Sequence, residues 1–145
     1  NLAEKIRWLG TQRYNVATLI EVMRNSKRFA DLSIDGEIIS DDFAFIIACN
    51  TIHVGKGMKM APKAIIDDGL VDIIIVPKVN RLKLLKLFPK LFTGEHINSP
   101  ELEYKQVNNF SIIPNENNKL NIDGELLGTT PVKVKVLKKE IEVLI

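Results

Sequence analysis

The sequence is poor in cysteine, in charge of one sign and in long apolar runs, and each shortage closes off a class of function. Cys49 is the only cysteine among 145 residues, so an internal disulfide framework is excluded and a reducing compartment is expected. Lys and Arg number 20 against 18 Asp and Glu, a formal charge of +2. That balance leaves no basic excess of the kind that holds nucleic acid. The longest unbroken apolar run, Phe43–Cys49, is far too short to span a bilayer, and no signal-peptide pattern opens the chain. No repeat of regular period and no low-complexity segment is present. The two histidines, His53 and His96, lack metal-ligand spacing, and no Ser–His–Asp or Cys–His arrangement can be argued. Cys49, inside "FAFIIACN", reads as a small buried apolar residue.

What is present is an ordinary globular composition, 46% apolar and 26% charged, with length enough for one domain and a sizeable core. The chain opens at Asn1 rather than Met, which points to a piece of a longer protein. Residues 2–28 carry apolar side chains at helical spacing (Ile6, Leu9, then Val16, Leu19, Ile20, Met23), with Gly10 placed to divide them into two helices. After Phe29 the period changes to two or to short apolar runs. The pattern predicts strands over Ala30–Ile34, Glu37–Ile39, Phe43–Cys49, Leu70–Pro77, Asn109–Ile113, Lys119–Ile122, Glu125–Leu127, Val132–Leu137 and Ile141–Ile145. A hairpin is expected through Lys138–Glu140. One helix, "NRLKLLKLFPKLFTGEH", interrupts the series and should end near Pro89. So many short strands with turn residues between them imply a mainly β fold, an antiparallel sandwich with N-terminal helices and one inserted helix.

Four stretches carry candidate chemistry. Ile-Asp-Gly-Glu occurs twice, in "LSIDGEIIS" and in "LNIDGELLG". Asp-Gly between apolar residues is a hairpin signal, because both turn positions need positive φ. The same turn also projects two carboxylates from a sheet edge, where they can bind Mg²⁺ or take a proton from a hydroxyl. The first occurrence sits inside "DLSIDGEIISDD", Asp31–Asp42, which nearly matches a calcium loop, with Asp31, Ser33 and Asp35 at alternate positions and Gly36 at the sixth. Against calcium stand the short Asp42 at the twelfth position, the strand-like "FAFIIACN" that follows, and the lack of a second loop. "HVGKGMKMAPKAIIDDGLVD" holds Gly55 and Gly57 around Lys56, which could bring amides near a phosphate but is not a Walker loop. In the same stretch Asp67-Asp68-Gly69 reads equally as a plain turn or as a hard-cation site built from a carboxylate and free carbonyls. In residues 81–92, Leu84, Leu87, Phe88 and Leu91 share one face and Lys83, Lys86 and Lys90 another. The plainer reading is a helix covering the sandwich with its lysines in water, and the alternative is a helix lying on an anionic membrane surface.

Taken in order, "FAFIIACNTIHVGKGMKMAPKAIIDDGLVDIIIV", "LLKLFPKLFTGEH" and "LNIDGELLGTTPVKVKVLKKEIEVLI" resemble the C-terminal half of the bacterial diacylglycerol kinases, a family that includes the sphingosine and ceramide kinases. The likeness covers roughly residues 29–145, and its most specific parts are M-K-M-A-P-x-A-x-x-D-D-G-L-x-D and I-D-G-E-x-x-G-x-x-P-x-x-x-x-V. It departs at Gly55–Lys56–Gly57, where a third glycine is usual. The resemblance implies a two-domain lipid kinase, with residues 1–28 a helical lead-in from a nucleotide-binding domain and 29–145 the C-terminal β-sandwich. The G-G-D-G-T nucleotide motif is absent here, so ATP would bind the missing N-terminal domain, and this piece alone would be inactive. The resemblance makes Asp123 and Glu125 catalytic, with Glu125 favoured as the proton acceptor from a lipid hydroxyl. It places a structural Mg²⁺ at Asp68 with the backbone carbonyls of Ile65 and Leu70. It leaves Asp35-Gly36-Glu37 a plain hairpin. It further implies a cytoplasmic protein working at the inner face of the membrane, with homodimerisation left open. Two other readings stand beside it: a sandwich that binds an acyl lipid without catalysis, and a calcium-binding domain built on Asp31–Asp42.

Overall fold

The protein is seen in a computed structural model that describes residues 28–55 and 57–141. The helical reading of residues 2–28 lies outside these except for Arg28, as do Lys56 and, beyond Ile141, the strand expected at 141–145. Among the described residues eight strands run in chain order: β1 Arg28–Ile34, β2 Glu37–Cys49, β3 Val71–Pro77, β4 Glu103–Val107, β5 Asn109–Pro114, β6 Lys119–Ile122, β7 Glu125–Thr129 and β8 Val132–Lys135. Between β3 and β4 lie two short helices, α1 Arg81–Leu87 and α2 Lys90–Thr93, and a 3₁₀ turn, Glu95–Asn98. Six strands form one sheet in the order β4-β3-β2-β1-β5-β8, and β6 and β7 pair separately. Every pairing is antiparallel.

One strand, β2, and one two-strand segment, β4–β5, run through both halves of this sheet and turn it into a sandwich. The first part of β2, Glu37–Phe43, pairs with β1, while Phe43–Cys49 pairs with β3, and the register shifts between Phe43 and Phe45. Only Asn108 separates β4 from β5, yet β4 pairs with β3 and β5 with β1. Neighbouring residues of one chain segment therefore pair with strands two places apart, which is possible only if the sheet folds back on itself. Strands that change layer through a bulge make such corners. One layer is β1, the start of β2, β5 and β8; the other is the end of β2, β3 and β4.

The core fills the space between the layers. Alternation in β1 turns Ala30, Leu32 and Ile34 inward against Val71, Ile73 and Ile75 of β3, Val107 of β4 and Phe110 of β5. Leu32 and Ile73 are fully buried, and each such side chain contributes about 1.5–3 kcal/mol by leaving water. β3 is buried on both faces: Asp72, Ile74 and Val76 point the other way, beneath a second cluster with Cys49, Ala61 and Ala64. This is why "VDIIIV" reads as an almost continuous apolar run rather than an alternating one.

The loop and helices between β2 and β4 cover that outer face. Asn80 caps α1, its side-chain oxygen accepting from the Leu82 amide at 3.0 Å. The single helix expected here is divided at Pro89, which has no N–H to continue α1 and is tolerated just before α2. Gly94 ends α2 at φ 83°, its amide bonded to the Lys90 carbonyl at 2.9 Å. A Cβ at Gly94 would lie 3.1 Å from Pro62, so the loop packs tightly at this point. The Lys59 amide donates to the Leu91 carbonyl at 2.7 Å and ties loop to helix.

Three further expectations are corrected. Glu37–Ile39 and Phe43–Cys49 are one strand, the strand from Val132 ends at Lys135 rather than Leu137, and β4 was not expected. Asp31–Asp42 forms two paired strands and a tight turn, with Asp31 opposite Ser40 and the Ser40 hydroxyl donating to Asp31 at 2.6 Å. A calcium loop needs those side chains to converge on one point; here they are spread along an extended hairpin, and the calcium alternative falls.

Candidate functional site

The two Ile-Asp-Gly-Glu turns have the same backbone. Asp35 and Gly36 sit at φ 47° and 94°, Asp123 and Gly124 at 49° and 91°, the doubly positive pair of a two-residue hairpin. A Cβ at either glycine would meet nothing within 4 Å, so the glycines serve backbone conformation rather than close packing. Their surroundings differ. Asp35 accepts from the Asn109 side-chain amide at 3.2 Å, within the first layer. Asp123 accepts no hydrogen bond among the described residues; the turn is held instead by Asn121, whose side-chain oxygen accepts from the Gly124 amide at 3.0 Å. Asp123 and Glu125 are exposed, on a hairpin whose Ile122, Leu126 and Leu127 are exposed too.

The negative charge of Asp123 is nonetheless felt at Cys49, on the outer face of the second layer. The Cys49 thiol is pushed up to about 11, by burial first and then by the negative charges of Asp72 and Asp123. Asp72 lies directly opposite Cys49 in the β2–β3 ladder and is 1% exposed. The Tyr104 hydroxyl donates to Asp72 and accepts from the Lys63 amide at 3.3 Å. Burial, and next this bond to Asp72, raise the Tyr104 pKa and keep the hydroxyl in its neutral, donating form. Gln106 donates to the Lys63 carbonyl at 3.2 Å, and the Lys63 ammonium sits 5.9 Å from the centre of the Tyr104 ring. The M-K-M-A-P-K-A segment is thus clasped to the sheet from both sides of Lys63.

Along the same face the polar end gives way to an apolar cavity of about 210 Å³. Its floor is Phe45, Ile47, Ile74 and Val76 of the sheet, and its roof is Leu84, Leu87, Phe88 and Leu91, the four residues whose helical spacing marked a common face. It is larger than the ~150 Å³ apolar cavity that suffices for benzene. His96 joins the wall, fully buried, with Nε2 donating to the Met60 carbonyl at 3.0 Å and Nδ1 without a hydrogen-bond partner among the described residues. Burial lowers its pKa, opposed by the carbonyls of Met60 and Lys90; the ring is held neutral.

The Asp68 turn is a separate feature. Asp68 accepts from the Leu70 amide at 2.8 Å through one oxygen, and Gly69 takes φ 84° beneath the Lys138 side chain. Its other oxygen accepts no hydrogen bond among the described residues. One free carboxylate oxygen on a tight turn suits a partly hydrated Mg²⁺, which takes one or two carboxylates and keeps several waters. Among the described residues no three carboxylate, imidazole or thiol groups gather as a fuller metal site.

Asp72 closes the D-D-G-L-x-D motif, but neither it nor Tyr104 is assigned a role from the sequence, although a signal exists: a carboxylate inside "LVDIIIV" cannot be buried without a partner.

The whole chain, residues 1–145, matches the family model described as the YegS C-terminal NAD kinase beta sandwich-like domain. The chain is 31% identical to a diacylglycerol kinase of Mycobacterium tuberculosis, over 98% of the chain and 46% of that protein. It is 36% identical to one of Staphylococcus haemolyticus, over 75% of the chain and 33% of that protein. A crystal structure of a diacylglycerol kinase from Bacillus anthracis superposes with a TM-score of 0.73 at 21% identity, covering 93% of the chain and 46% of that structure. The chain spans less than half the length of the curated relatives it matches.

Proposed function

Because this chain belongs to the YegS C-terminal NAD kinase beta sandwich-like family, as a C-terminal domain of the bacterial diacylglycerol and related lipid kinases, we propose that the full-length protein phosphorylates the hydroxyl of diacylglycerol or a related lipid with ATP. The observation that carries this reading is an apolar cavity on the same sheet face as the buried Asp72 and Cys49, where the charge of Asp123 is also felt. Ile47 and Ile74 floor the cavity, and the next outward positions of the same strands are Cys49 and Asp72, about 7 Å further along at strand spacing. The charge of Asp123 raises the Cys49 thiol at that end, which supports setting the hairpin near it. An acyl chain held in the cavity would therefore present its polar end toward the Asp123–Glu125 hairpin.

The chemistry needed is small. The lipid oxygen attacks the γ-phosphorus, the bond to the β–γ bridging oxygen breaks, ADP leaves, and the hydroxyl proton passes to a carboxylate. Glu125 is the assigned acceptor and Asp123 its orienting partner. A two-residue hairpin holds such a pair with little freedom. Asp68, with the carbonyls of Ile65 and Leu70, would hold a structural Mg²⁺, which supplies charge and rigidity to that turn. The nucleotide is assigned to the part of the protein that precedes this domain, and the enzyme to the cytoplasmic face of the membrane.

The test is transfer of label from ATP to lipid by the full-length protein with Mg²⁺, on diacylglycerol, monoacylglycerol, phosphatidylglycerol and a sphingoid base. Label in at least one lipid is expected. No label in any, with lipid still bound, would leave a non-catalytic lipid-binding module.

A further inference from the structure

Helix α1 carries leucines on two sides. Leu84 and Leu87 face the cavity, while Leu82 and Leu85 point outward and are 66% and 38% exposed. Helical spacing puts Lys86 beside Leu82 and Leu85 on that outer side. Charge around the helix is one-sided: from residue 78 to residue 94 the chain holds Lys78, Arg81, Lys83, Lys86 and Lys90 and no acidic residue. Three of these are engaged within the fold. Lys78 pairs with Asp42 at 3.7 Å, Lys83 with Glu101 at 3.6 Å, and Lys90 bonds Ser99 at 3.2 Å. Arg81 and Lys86 have no side-chain partner among the described residues.

From this arrangement we propose that the outer face of α1 docks on an anionic bilayer, with Leu82 and Leu85 entering the headgroup boundary and Arg81 and Lys86 resting on lipid phosphates. Exposed apolar residues flanked by unpaired cations are what an interfacial helix presents, and an anionic bilayer supplies the matching apolar layer and negative charge together. The placement has a consequence for substrate. Only the thickness of one helix, about 10 Å, separates the docked face from the cavity its inner face roofs, so a lipid need leave the bilayer by little more than that to enter. The inference deepens the lipid-kinase reading and rests on it for what enters the cavity. The docking itself requires no turnover.

The test is co-sedimentation of the full-length protein, without ATP, on phosphatidylcholine vesicles with and without phosphatidylserine. Two double variants are compared with wild type: Arg81→Gln with Lys86→Gln, and Leu82→Ser with Leu85→Ser. All four positions are exposed, and thermal melts verify folding. The charge variant should bind anionic vesicles about twenty-five-fold more weakly, about fivefold for each cation. The leucine variant should lose on the order of tenfold. Phosphorylation of a soluble short-chain lipid by both variants should stay within about twofold of wild type, since neither pair belongs to the assigned catalytic groups. Wild-type binding that is absent, indifferent to phosphatidylserine, or unchanged in both variants would overturn the docking face. Variant-sensitive binding in a protein that labels no lipid would overturn the kinase reading and leave the docking face standing.

Discussion

The Tyr104 hydroxyl donates a hydrogen bond to the buried carboxylate of Asp72, joining β4 to β3 beneath the M-K-M-A-P-K-A loop. Asp72 sits among apolar neighbours at 1% exposure, so this donor is what makes its burial tolerable. Tyr104→Phe keeps the ring and removes the donor. The variant should lose about 1–3 kcal/mol, read as a lower denaturant midpoint at unchanged slope. A midpoint equal to wild type would mean that another donor reaches Asp72.

Cys49 reports on the placement of Asp123. Burial, Asp72 and Asp123 together push its thiol up to about 11, so at pH 8 a small alkylating reagent should react slowly, because only the thiolate attacks. Asp72→Asn and Asp123→Asn should each lower that pKa and speed alkylation. Asp35→Asn should not, since Asp35 is bonded to Asn109 in the other layer. Equal rates in Asp123→Asn and wild type would place the β6–β7 hairpin away from this face.

His96 should make the fold acid-sensitive. Burial lowers its pKa below the ordinary 6.5, so between the folded and unfolded values the unfolded chain binds more protons. Stability therefore rises with pH through that window. His96's contribution is full above about pH 6.5 and lost as pH falls toward the folded value. His96→Gln, which retains a donor for the Met60 carbonyl, should flatten the rise of the denaturant midpoint with pH below about 6.5. An unchanged slope would assign the acid sensitivity to other groups.

The cavity should set chain-length preference. Ile47→Trp places a larger side chain on its floor and should raise KM for long-chain diacylglycerol about tenfold or more, with short-chain activity close to wild type. Equal losses on both would indicate a general disturbance of the sheet rather than a tail site.

Much of this was legible in the residues because period-two burial leaves its mark: Ala30, Leu32 and Ile34 announce β1, and the Asp-Gly pairs announce both hairpins. The inward face of the covering helices was likewise visible in Leu84, Leu87, Phe88 and Leu91. β4 was hidden because Glu103, Lys105 and Gln106 blur its alternation, and its outward Tyr104 and Gln106 bond to the loop rather than join a core. The folding-back of the sheet could not be read, since it depends on β2 and the β4–β5 segment pairing with two different partners, and pairing is a long-range fact. The same limit explains the two turns. Their sequence and backbone are alike, and what separates them is their surroundings: Asp35 is bonded to Asn109, while Asp123 accepts no hydrogen bond among the described residues and its charge is felt at Cys49.

That separation is the central claim, and one assay addresses it: transfer of labelled phosphate from ATP to diacylglycerol micelles by the full-length protein and its Asp123→Asn, Glu125→Gln and Asp35→Asn variants, each shown to be folded. The account predicts losses of at least about 10²-fold for Asp123→Asn and Glu125→Gln and near wild-type rates for Asp35→Asn. Full activity in both Asp123→Asn and Glu125→Gln, or a loss in Asp35→Asn as deep as theirs, would contradict it.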